Sequence, residues 1–170
     1  MVRNKKAVSA IIGYVLLVTM GIVMSVIVYN YLKTYVPADA LECPGGVSIV
    51  LKDYNCSTNQ LNITLKNNGK FNLAGFFIHA SNNTEQKIAT IDLSKNLNQP
   101  PGEIYGSAVV VTLGNENFMK PGNENGYIFD NLPPNIELIE FIPARFQEEN
   151  NKIRFVSCSG AKITEKINCN

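Results

Sequence analysis

Polar and apolar positions divide this chain into two unlike parts. From Ala7 through Leu32 no residue is charged, and the run AVSAIIGYVLLVTMGIVMSVIVYNYL is almost wholly apolar. Its length predicts one helix of roughly 39 Å at ~1.5 Å per residue, and about 20 apolar residues suffice to cross a bilayer. Beyond the joint Pro37-Ala38-Asp39-Ala40 the period changes to two. Short alternating runs recur between turn residues, the pattern of half-buried strands. They are 47–51, 61–65, 75–80, 87–91, 106–113, 125–129, 136–142, 152–156 and 161–167. Asn67-Asn68-Gly69-Lys70 and Pro121-Gly122 read as turns between them. The expected fold is therefore α+β: a long N-terminal hydrophobic helix followed by an antiparallel all-β sandwich, immunoglobulin-like by strand spacing. A closed barrel fits the same spacing nearly as well.

Charge sets the orientation of the helix. Arg3, Lys5 and Lys6 precede it with no acidic residue among them, which predicts a cytoplasmic N-terminus. Tyr29, Tyr31 and Tyr35 gather at the far end, Lys33 is the first charge there, and Pro37 stops the helix. The part after the helix is then expected outside the cell. A secretory signal peptide has an apolar core of only ~7–15 residues, so this run is too long for one. Ser9, Gly13, Gly21 and Ser25 lie on one four-residue ladder interrupted by Leu17. Small residues at that spacing let helices approach closely.

The segment Lys5-Lys6-Ala7-Val8-Ser9-Ala10-Ile11-Ile12-Gly13, continued by Tyr14-Val15-Leu16-Leu17-Val18, resembles the N-terminus of archaeal type IV pilins and related archaellin-like surface proteins. Ala10 stands where the family pattern usually has Pro. The resemblance covers about the first 35 residues closely and the rest only in layout. It implies a class III, prepilin-type signal that a prepilin peptidase cuts between Ala7 and Val8. The implied layout is a basic leader over 1–7, a hydrophobic helix over 8–36, a linker over 37–42 and an extracellular domain over 43–170. Cleavage removes Arg3, Lys5 and Lys6 and leaves 12 basic against 14 acidic side chains. The partners implied are copies of the chain or related pilins through the helix, the peptidase, the pilus assembly platform and, before assembly, membrane lipid. The alternative expectation is an uncleaved single-span protein whose outer sandwich binds a ligand or surface polymer.

Composition narrows the chemistry. Of the 170 residues 17% are charged and the net charge is +1, so no basic excess exists to neutralise nucleic-acid phosphates. Cys43, Cys56, Cys158 and Cys169 all follow the helix. An even count in an extracellular segment predicts disulfides. Cys43 and Cys56 stand up to ~40 Å apart if an extended strand separates them, which disfavours that pair, and Cys158–Cys169 is disfavoured more weakly. Antiparallel first and last strands, whose position numbers keep a nearly constant sum, favour Cys43–Cys169 and Cys56–Cys158. Parallel strands favour Cys43–Cys158 and Cys56–Cys169. Close Cys pairs of the zinc-binding kind do not occur, and no metal or cofactor is expected. His79 is the single histidine and sits in a strand; Glu137 and Glu140 read as solvated positions beside an apolar run. Neither G-x-S-x-G nor H-E-x-x-H is present, and no enzyme activity is expected. Asn is abundant, and three N-x-S/T sequons begin at Asn82, Asn62 and Asn55, in that order of expected use. Cys56 lies inside the last of these and competes with glycan transfer if it is bridged first.

Overall fold

The computed structural model describes residues 5–35, 41–57, 59–98, 103–111, 117–149 and 151–169. It divides into two compact units, Met1–Leu41 and Glu42–Asn170. The first holds one helix, α1 (Lys5–Tyr35). Over Ile11–Lys33 this helix is long and apolar enough to cross a membrane. Its side chains from Ile11 to Leu32 are exposed on every side, with Leu17 at 71% and Tyr14 at 72%. A helix that is apolar all round has no solvent face. Arg3 and the rest of 1–4 lie outside the described residues, as does most of the expected linker, 36–40.

The second unit is built of antiparallel sheets, so the fold class expected from the sequence is observed: an apolar N-terminal helix and then a β domain. Agreement is at the level of class and of antiparallel pairing, not of immunoglobulin-like connectivity. One sheet has three strands, β1 (Ile49–Ser57), β2 (Gln60–Asn67) and β7 (Glu124–Asp130), in that spatial order. The other is organised around β3 (Gly75–Ser81) and the twelve-residue β8 (Leu138–Glu149). On one side of β3 lie β6 (Ala108–Val110), β5 (Glu103–Tyr105) and the two-residue β4 (Ile91–Asp92). β8 pairs on its far side with β9 (Lys152–Ser157) and β10 (Ile163–Lys166).

β9 and β10 are in effect one strand with an insertion. From Ala144↔Ser157 to Phe141↔Ile163 β8 advances three residues while its partner advances six. The extra residues form a 3-10 turn at Ser159–Ala161. They act as a large bulge, which re-aims the residues beside it.

Alternation decides what lies between the sheets. Leu61, Ile63 and Leu65 of β2 face Phe76 and Ile78 of β3 and Ile139 and Phe141 of β8, all at most 2% exposed. Phe76 meets Tyr127 edge-on across the core, with centroids 4.8 Å apart. Burying such side chains stabilises by ~1.5–3 kcal/mol each. Gly75 is required by closeness: a Cβ there meets Val109 O at 2.1 Å. One strand expectation is overturned. The run 87–91 is irregular except for its last residue, because only Ile91 and Asp92 reach β3; Ile88 is 66% exposed.

Candidate functional site

In α1 the expected cleavage junction Ala7–Val8 and the basic residues Lys5 and Lys6 are helical backbone, and no side-chain geometry is described for them or for Ser9. Gly13 and Gly21 have open space where a Cβ would stand. Ser25 donates its hydroxyl to Gly21 O at 2.9 Å, and Thr19 donates to Leu16 O at 3.0 Å. Both hydroxyls are thus satisfied within the helix, as apolar surroundings demand.

The four cysteines form two disulfides, Cys43–Cys158 and Cys56–Cys169, with Cα atoms 5.2 Å and 4.8 Å apart. This corrects the favoured pairing, Cys43–Cys169 with Cys56–Cys158. That pairing assumed first and last strands side by side in one antiparallel ladder. In fact β1 and β10 are edge strands of different sheets, paired with β2 and β8. The bonds join earlier cysteine to earlier and later to later, the order set aside for parallel strands. The bulge after β9 places Cys158 inside, 1% exposed, with its N–H on Pro143 O at 2.7 Å.

All three sequon asparagines are exposed. Asn82 follows β3 in a bend held by Ser81, whose hydroxyl donates to Asn83 O at 3.1 Å. Asn55 and Asn62 are directly opposed partners of β1 and β2. They stand on the polar outward face of the three-stranded sheet, which also carries the Lys52–Glu124 ion pair, extended by Lys66 at 3.3 Å. The two lysines hold the Glu124 carboxyl below its ordinary value, Lys52 by hydrogen bonding foremost.

Not all of the asparagines are surface chemistry. Asn67 is fully buried and donates to Phe71 O at 2.9 Å and to Met119 O at 2.8 Å, while accepting from Gly69 N–H at 3.0 Å. Asn117 bonds both backbone groups of Phe146, at 2.8 and 3.0 Å, as a strand residue would. Asn131, Asn135 and Asn151 adopt positive φ, which Asn tolerates better than most residues.

The outward face of the seven-stranded sheet has two zones that the sequence did not single out. One is aromatic: the Phe155 ring lies 5.1 Å from Phe146, 6.0 Å from Tyr105 and 6.1 Å from Phe77. The other is polar. His79 pairs in register with Asp92 on one side and Glu140 on the other. Glu140 is 4% exposed and bonds Lys162 Nζ at 2.8 Å, so its reading as a solvated position is corrected; Glu137 is exposed. Partial burial opposes the charge on Asp92. Hydrogen bonds from Ser94 and Ser107, with His79 nearby, outweigh it and hold that carboxyl below its ordinary value. Alternation alone told only that Phe77 and Phe155 share strands with core residues. Their meeting depends on the β8–β9 hairpin register.

No protein-family model, curated protein or solved structure matches this chain. Among the described residues no group of three or more His, Cys, Asp or Glu side chains is placed to hold a metal ion.

Proposed function

We propose that this chain is the structural subunit of an archaeal type IV pilus-like surface filament. It is inserted as a prepilin with its N-terminus in the cytoplasm and its β domain outside, cut between Ala7 and Val8, and assembled through α1. The observation that carries this reading is the exposed, almost wholly apolar surface of α1 from Ile11 to Leu32. In water that surface demands cover, and copies of the same helix supply it along an open, non-closing arrangement. The Lys6-Ala7-Val8 junction adds the resemblance to prepilin signals. The disulfides and sequons suit an oxidising exterior, and low net charge lets copies approach without strong repulsion. Its partners are copies of itself or related pilins, the prepilin peptidase and the assembly platform; no catalytic step belongs to this reading.

The aromatic zone around Phe155 favours a second reading, an uncleaved single-span protein whose outer domain binds a ligand or surface polymer. N-terminal sequencing and intact mass of the protein from its native cells separate the two. A chain beginning at Val8 supports the filament subunit, and added mass in hexose-sized steps then shows glycans. A chain retaining Arg3, Lys5 and Lys6 overturns the first reading and leaves the anchored binding domain.

A further inference from the structure

Whether α1 rests in lipid or in a filament, load between it and the β domain is carried through Glu42 into Cys43. This inference rests only on that tethering, shared by both readings above. The element after Cys43 is β1, an edge strand whose ladder partner is β2 alone. Tension at its N-terminal end first meets the bonds from Lys70 N–H to Gly46 O and from Asn68 N–H to Ser48 O, and then that one ladder, beginning at Ile49↔Asn67. β10 is held by a shorter ladder, paired with β8 over four residues.

The disulfides change this path. Residues 43–56 and 158–169 close into one covalent ring through Cys43–Cys158 and Cys56–Cys169. Load reaching Cys43 crosses directly to Cys158. Cys158 is buried, bonded through its N–H to Pro143 O of β8, and flanked by β9 and β10, both laddered to β8. β8 is itself laddered to β3 on its other side. β9 and β10 each have β8 as their ladder partner, so load entering at Cys158 is shared between those two ladders instead of falling on the β1–β2 ladder alone.

We propose that Cys43–Cys158 is a force-bearing clamp. It carries tension arriving along the tethered helix into the seven-stranded sheet and keeps β1 from being stripped off β2. Cys56–Cys169 is the second stop, reached only if the first is broken.

Magnetic tweezers on the full chain test this, with the N-terminus immobilised and a bead on a peptide tag inserted at Asn151, at the tip of the β8–β9 hairpin. The Cys43→Ser/Cys158→Ser variant is expected to show a discrete extra step at loads the native chain withstands. It comes from peeling residues 43–56, whose full contour is about 45 Å at ~3.3–3.6 Å per residue, and is halted by Cys56–Cys169. The Cys56→Ser/Cys169→Ser variant is expected to behave as the native chain over the same loads. Reducing native molecules in place under steady load needs no variant to refold, and is expected to extend the chain between Cys43 and Asn151 toward its full contour of about 350–390 Å. Failure of the first variant to yield early overturns the clamp, as does early yielding by the second variant instead. Reduction under load without release overturns it too. Each outcome is read without forming a filament, so failure here is distinct from failure of the pilin reading.

Discussion

At the scale of single residues, burial fixes what each side chain is allowed to do. Tyr127 is 1% exposed against Phe76, and that burial pushes its phenol up to about 12, only partly opposed by Asn125. The unfolded chain ionises at the ordinary value of 10.0. The stabilising contribution is therefore whole below pH 10 and is lost as pH rises through about 12. Two units correspond to roughly 2–3 kcal/mol. Absorbance titration is expected to show one late-ionising tyrosine, and Tyr127→Phe to flatten the loss of stability above pH 10. Gly75 is constrained by contact rather than by dihedral. Gly75→Ala drives a methyl onto the Val109 carbonyl and is expected to cost roughly 3 kcal/mol, the upper end of overpacking effects, read as a lowered urea midpoint.

At the scale of elements, register couples positions that sequence spacing leaves independent. Asn55 and Asn62 begin separate sequons, yet β1 and β2 place them directly opposite on one face, with Cβ atoms ~4.5–5.5 Å apart. Two glycans rooted that close collide. Glycopeptide mass spectrometry of the native protein is expected to find Asn55 or Asn62 occupied, and not both in one molecule; a doubly occupied hairpin would refute the exclusion. Cys56 also pairs with Cys169 at a sequence separation of 113, so its bond closes only after Cys169 has emerged. The Asn55 sequon is open until then, which weakens the competition expected from sequence. In α1 the open space at Gly13 and Gly21 makes Gly13→Leu/Gly21→Leu compatible with the helix itself. The double variant is expected to insert in membranes as the native chain does and to lose close helix packing. Normal filaments seen by electron microscopy would count against the small-residue ladder.

At the scale of the whole molecule, the two disulfides are not equivalent increments. Either one alone closes a loop of over a hundred residues, with separations of 115 and 113, worth about 4–5 kcal/mol in the chain-entropy model. With one formed, the other closes only the ring of 43–56 and 158–169, worth about 3.5 kcal/mol. Removing either pair is thus expected to cost less than half of what removing both costs. Urea denaturation of the two double variants and the quadruple variant measures this, and equal additive losses would contradict it.

Much of this was legible in the chain because it depends on local pattern. A charge-free run from Ala7 to Leu32 compels a helix, since only internal hydrogen bonding tolerates apolar surroundings. The alternation in Leu61-Asn62-Ile63-Thr64-Leu65 compels a strand with one buried face. The even cysteine count foretold bridging but not the partners. What tertiary structure alone decided concerns which strands are neighbours. β1 and β10 went to different sheets, which reversed the favoured disulfide pairing. β8 drew His79 beside a buried Glu140 and gathered Phe77, Phe146 and Phe155. The buried Asn67 looked like any turn asparagine until two loops closed over it. Periodicity records which face of a strand is buried; it carries no label for the strand across the gap, because apolar contact is non-directional. Partner choice is set by the global packing of both sheets, where long-range register selects the contacts.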